Sequence, residues 1–264
     1  VHPIERLRYV ARAAGAPADD IVQEAAASLA GFADDPTSLV TACRRLLDRH
    51  PANGPVWWLC ARVLTAPDPA EEAWRCLDEH QGDPTATELG HALPDGARVA
   101  VIGWPERLTA ALARRGDLSV RVIDVEGDGP GLVRALERFD VPVDDVEVTG
   151  LAAAVADSDL LLVDAAAIGP DTVLAPSGSW AAAAVARSEA VPVWVLAGVG
   201  RVLPSGTWPG LVRRLGGGAT APWDHEHDRL PLVLVAQLVG IEGPEAVADG
   251  LRRADVPDVP ELRR

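Results

Sequence analysis

A chain of 264 residues, 48% of them apolar, can bury a core as one large domain or two modest ones, and no run of about 18 apolar residues is present to cross a bilayer. Its formal charge of −15 repels phosphate backbones, so neither nucleic acid nor a membrane is an expected partner. The sequence contains no lysine, which excludes Schiff-base and P-loop lysine chemistry outright.

Residues 1–10 lack the basic-then-apolar order of a secretory leader, and a cytoplasmic location is expected. Through about residue 92 the chain carries helix signals only, with helices expected at 4–14, 20–32, 37–49, 55–64 and 70–80. Asp35-Pro36 and Asp68-Pro69 each pair an N-cap with a first-turn proline, and Glu71 and Glu72 complement the dipole of the helix that follows. Cys43, Cys60 and Cys76 form no C-x-x-C pair and read as buried helix thiols. Trp57-Trp58 reads as core or interface packing.

Past Pro94-Asp95-Gly96 the pattern changes to short apolar runs at 98–102, 120–125, 145–148, 160–163 and 191–197. Helical segments at 105–115, 131–139, 151–156 and 179–189 supply the crossovers that parallel pairing requires. The continuously apolar Leu160-Leu161-Leu162-Val163 suits a sheet buried on both faces. The expected fold is α/β: a helical N-terminal domain over 1–94, then a Rossmann-like parallel sheet domain over 95–264. Within its tail, 216–218 is expected to be a flexible loop, 230–239 an apolar run of either type, and 244–254 a last helix.

In such a sheet, ligands sit outside the carboxyl ends of the strands. After the first strand the chain reads Gly103-Trp104-Pro105-Glu106-Arg107, one glycine where a dinucleotide fingerprint needs three, so no NAD, FAD or other cofactor is expected. Gly127, Gly129 and Gly131 after the second strand form either a plain turn or an anion nest, but Asp124, Glu126 and Asp128 crowd the same loop. Asp164 at the end of the fourth strand is either a catalytic carboxylate or a loop hydrogen-bonding group. Gly178-Ser179 opens a helix whose free amides suit a phosphate or simply a helix start. The run Asp224-His225-Glu226-His227-Asp228 lacks the H-E-x-x-H spacing and reads as a solvated charged loop, so no metal is expected.

From Asp95 to Pro204 the order of pieces resembles the family that unites the α, β and δ subunits of translation initiation factor 2B with methylthioribose-1-phosphate isomerase and ribose-1,5-bisphosphate isomerase. The stretch from Asp159 to Asp171, with Val163-Asp164-Ala165-Ala166-Ala167-Ile168-Gly169, is similar to the family's strand ending in a Gly-Ala-Asp-x-Ile turn. Ala175-Pro176-Ser177-Gly178-Ser179 is similar to its Asn-Lys-Ile-Gly-Thr motif, and Ala190 to Ala197 to its x-Ile-Pro-Phe-Tyr-Val-Ala-Ala strand. Residues 50–58 resemble the Arg-Pro-Thr-Ala segment of its helical domain.

The resemblance also exposes departures. Where the isomerases carry a catalytic Asp and Cys, this chain has Ala166 and the cysteine-free segment from Gly103 to Arg107. The family's Glu-x-Arg-Pro loop has become Glu126-Gly127-Asp128-Gly129, and its Asn-Lys pair Ala175-Pro176. Alanine cannot move a proton. The implied function is a non-catalytic relative, a homo-oligomeric scaffold or a binder of a small phosphorylated metabolite. The alternative is an aldose–ketose isomerase of a pentose phosphate, with Asp164 as a relocated acid or base. A translation factor subunit ranks last. The positions expected to touch ligand are Gly103, Glu126, Gly129, Ser177, Gly178, Ser179 and Arg201.

Overall fold

A computed structural model describes residues 18–216 and 221–263. The helix expected at 4–14 and most of the 216–218 loop lie outside them.

Two of the early helices begin where an aspartate side chain caps them. Asp35 accepts from the amides of Thr37 (3.0 Å) and Ser38 (3.1 Å), opening Pro36–Arg49. Asp68 does the same for Ala70 and Glu71 at the head of Pro69–Gln81. The first helical layer is α1 (Ala18–Ala30), α2 (Pro36–Arg49), α3 (Gly54–Thr65) and α4 (Pro69–Gln81). Trp57, Trp58 and all three cysteines are buried in its core, as their helical spacing implied. That core also takes in Trp208 and Leu211 of a late helix, and Val256, Val259 and Leu262 from the C-terminal segment.

A further helix, α5 (Thr85–Ala92), precedes the sheet and was not separately expected from the sequence. There follow β1 (Arg98–Ile102), α6 (Glu106–Leu112), β2 (Ser119–Asp124), α7 (Gly129–Glu137), β3 (Val143–Glu147), α8 (Leu151–Ala156) and β4 (Leu160–Asp164). Next come β5 (Ala167–Ile168), β6 (Thr172–Pro176), α9 (Ser179–Ser188), β7 (Val193–Leu196) and α10 (Trp208–Leu215). The chain closes with β8 (His227–Pro231), β9 (Gln237–Gly240), β10 (Gly243–Glu245) and α11 (Val247–Arg252).

Seven strands form one sheet in the order β10-β9-β7-β4-β1-β2-β3, parallel except for β10. Alternate residues of each inner strand serve opposite faces. Val99 and Val101 join Leu108, Leu112, Leu132 and Leu136 of α6 and α7, while Ala100 and Ile102 join Leu151, Val155, Ala182 and Ala186 of α8 and α9. The fold is the expected α/β arrangement with helices on both sheet faces.

Two parts of the tail differ from expectation. Strands β5, β6 and β8 form a separate antiparallel sheet, so the run at 230–239 divides between β8 and β9. The expected helix at 244–254 starts later, because Gly243 at φ +94° turns Pro244 and Glu245 back to pair with Val239 and Leu238. Proline is tolerated there because β10 is an edge strand.

Candidate functional site

The chain lays down β1, β2 and β3 in one direction, then returns to place β4 on the other side of β1. At such a switch point the loops leaving the two strands part, and a crevice opens at their carboxyl ends. A cavity of about 300 Å³ lies there. Ile102, Gly103, Trp104 and Pro105 line it after β1, Val125, Glu126 and Asp128 after β2, and Asp164 and Ala166 after β4. Pro176 and Ser177 leave β6, Glu226 and His227 enter β8, Arg107 reaches in from α6, Arg201 from the loop after β7, and Asp19 from the helical layer.

Arg201 is the most telling of these side chains. It is only 5% exposed, its Nε is buried without a hydrogen-bond partner, and its nearest carboxylate oxygen, Asp164 Oδ1, stands 3.2 Å from Nη1. Asp164 Oδ1 is itself without a well-directed donor, so the contact is an ion pair by distance and a poor hydrogen bond by angle. Burial holds the Arg201 pKa below its ordinary value; Asp164 opposes that shift and the positive Arg107 adds to it.

Arg107 is better partnered. Its Nη1 pairs with Asp83 and its Nη2 with Asp19 (3.0 Å), close to His80 Nε2 (3.3 Å). Burial would depress its pKa, but the carboxylates of Asp83, Asp164 and Asp19 outweigh burial and raise it. Asp83 also accepts from the amides of Thr85 and Val199, both at 2.9 Å, which with its pairing to Arg107 ties α5, α6 and the loop after β7 together.

Glu126 has its carboxyl raised, by burial first and then by the neighbouring charges of Asp128 and Glu226. His227 is lowered by burial, against the pull of Glu226 and Asp228. Its position corrects the expectation of a solvated loop at 224–228, because His227 starts β8 and lines the cavity. Among the described residues no group of three or more His, Cys, Asp or Glu could hold a metal ion, and no helix is long and apolar enough to cross a membrane.

Of the positions expected to touch ligand, Gly103, Glu126, Ser177 and Arg201 line this cavity, as does Asp164. Gly103 has φ +61°, and a Cβ there would stand 3.1 Å from Asp128 Oδ1. Gly129, Gly178 and Ser179 are not among the lining residues. Both backbone anion sites expected from glycine are occupied by the chain's own carboxylates: Asp124 Oδ1 accepts from Gly127 (2.7 Å) and Gly129 (3.2 Å), and Asp228 Oδ2 accepts from Trp180 (2.9 Å) at the head of α9. Ser179 is fully buried with its hydroxyl unpaired, and Ser177 donates to the His225 carbonyl at 3.1 Å.

No protein-family model matches the chain, and no curated protein matches it. Solved structures do. Translation initiation factor eIF-2B from Pyrococcus horikoshii OT3 superposes with a TM-score of 0.75 at 14% identity, covering 94% of this chain and 98% of that one. The chain has the fold of the initiation factor 2B proteins. Factor eIF2B beta from Chaetomium thermophilum gives a TM-score of 0.73 at 16% identity, over 94% of this chain and 89% of that one. A chain of the tetrameric beta2-delta2 complex from C. thermophilum gives 0.74 at 17%, over 95% and 92%.

Within this factor 2B fold, the residues that sequence reasoning missed are Asp19, Arg107, Asp83 and His227. Asp19 and Asp83 belong to the helical segments and meet the sheet only after folding, and His227 sits in a run whose charge concealed its burial. Arg107 was visible in the segment after β1, five residues past Ile102 and within reach of the strand end.

Proposed function

We propose that the protein binds a small phosphorylated metabolite at the ends of β1 and β4 and has given up isomerisation. The observation that carries this is Arg201, a guanidinium buried in the cavity with one carboxylate neighbour and an unpaired Nε. A buried charge is costly unless acceptors surround it. A phosphate presents two acceptor oxygens to the planar fork of such a group and binds it bidentately. Ala166 lines the same cavity with a methyl group where the resemblance puts the isomerases' catalytic carboxylate, which supports binding without proton transfer.

The test is a melting-temperature screen against pentose phosphates, methylthioribose phosphate and nucleoside monophosphates, repeated on Arg201→Met. A shift with one of them in the wild type that is lost in the variant supports the reading. No shift from any of them contradicts it.

The second reading is an active aldose–ketose isomerase, favoured by the carboxylate of Asp164 standing in the cavity. It requires that Asp164→Asn abolish turnover of a pentose phosphate, and unchanged turnover dismisses it. We also propose a cytoplasmic homo-oligomer, by analogy with the tetrameric complex of similar fold. A strict monomer by light scattering at high concentration counts against that.

A further inference from the structure

Five carboxylates and two guanidiniums line the cavity. Arg107 pairs with Asp19 and Asp83, and Arg201 with Asp164, which leaves Glu126, Asp128 and Glu226 without an arginine among the described residues. A phosphate entering this space adds charge of the sign already in excess. Hydroxyl groups on a neutral sugar can donate to the three carboxylates but cannot offset their charge.

We infer that the ligand is zwitterionic, an amine that carries a phosphate ester, with the phosphate on Arg201 and the ammonium among Glu126, Asp128 and Glu226. This rests on the phosphate-binding reading of the same cavity and narrows it to one chemical class.

Trp104 supplies a further cation-binding element. Its indole is 44% exposed and lines the cavity, and it packs so closely on Gly131 that a Cβ there would stand 2.2 Å from two ring carbons. Asp128 Oδ2 accepts from the Trp104 amide at 3.2 Å, and a ring held in this way, next to carboxylates that no arginine offsets, attracts an ammonium through its π face as well as through their charge. The Glu126 carboxyl is raised by burial first and then by the neighbouring charges of Asp128 and Glu226, and a bound cation offsets the second of these causes. Arg201 keeps the acidic side from being the whole site: it is buried and incompletely partnered, and it lines the same space.

The test uses two matched pairs and the full chain, in buffer containing EDTA so that no divalent metal supplies the missing positive charge. Glucosamine 6-phosphate is compared with glucose 6-phosphate, and phosphoethanolamine with ethyl phosphate, by calorimetric titration. The amine is expected to bind at least about tenfold tighter than its neutral counterpart in one pair or both. Glu126→Gln and Glu226→Gln should each bring that ratio down toward one. Equal affinity within both pairs overturns the zwitterion and leaves the phosphate reading standing. If no ligand of either pair binds, the zwitterion is overturned, and the pentose phosphates of the melting-temperature screen decide the phosphate reading.

Discussion

The amide of Gly54 donates to the carbonyl of Ala166 at 3.0 Å, joining the first turn of α3 to the loop that leaves β4. A Cβ on Gly54 would lie 2.8 Å from that oxygen and 3.2 Å from the Ala167 Cβ. The helical layer therefore rests on the loop that lines the cavity, at a point where only glycine fits. Gly54→Ala should destabilise the protein by about 1–3 kcal/mol, the usual cost of overpacking. Chemical denaturation would show this as a lower midpoint with an unchanged slope.

Asp164 and Arg201 form an ion pair in which the carboxylate is 14% exposed and the guanidinium side chain 6%. Asp164→Ala leaves Arg201 charged and buried with its nearest carboxylate gone, a change that costs about 3–5 kcal/mol in comparable pairs. Inorganic phosphate should then restore part of the loss, by occupying the space in front of the guanidinium, and raise the melting midpoint more in the variant than in the wild type. Equal midpoints with and without phosphate in the variant would mean that Arg201 does not face a usable anion site.

Strands β1, β2, β3, β4 and β7, their parallel pairing and the starts of the two Asp-Pro-capped helices were legible because they rest on local chemistry: Asp-Pro caps, apolar runs and crossover helices. Asp164, Gly103, Glu126, Ser177 and Arg201 were legible as cavity residues because the strand-end rule places chemistry there. Gly129, Gly178 and Ser179 were not separable from a binding loop by sequence, since a glycine-rich turn looks the same whether it awaits a phosphate or is already filled by Asp124 or Asp228. The sheet of β5, β6 and β8 was hidden because it joins segments more than fifty residues apart, with no alternating pattern to announce their pairing.

Asp83 sets an acid limit on stability. Burial pushes its carboxyl up, but the bonds from Thr85 and Val199 and the charge of Arg107 prevail and hold it below the ordinary value. A carboxylate depressed in the folded state contributes stability that is complete above its unfolded pKa of about 4 and is lost as pH falls through the lower folded value. Asp83→Asn should lower stability at pH 7 and flatten the acid limb below about pH 4. An acid limb as steep as that of the wild type would show that other carboxylates govern it.

The thiols should be inert. Cys43, Cys60 and Cys76 are fully buried, and burial above all pushes Cys76 up to about 12, with Glu72 and Glu79 adding to the shift against Arg62. Since the thiolate is the nucleophile, iodoacetamide at pH 8 should label none of the three in the native protein and all three in denaturant. Rapid native labelling of Cys76, read by mass spectrometry, would contradict its placement in the helical core.

The claim on which the rest depends is that Arg201 holds a phosphate in the cavity between β1 and β4. The most direct measurement is calorimetric titration of the wild-type protein with ribose 5-phosphate and with ribose, repeated on Arg201→Met. The account predicts that only the phosphate ester binds, that it adds about 2.7 kcal/mol of stability at a hundred times its Kd, and that the variant does not bind it. Equal binding of ribose and ribose 5-phosphate, or undiminished binding by Arg201→Met, would contradict it.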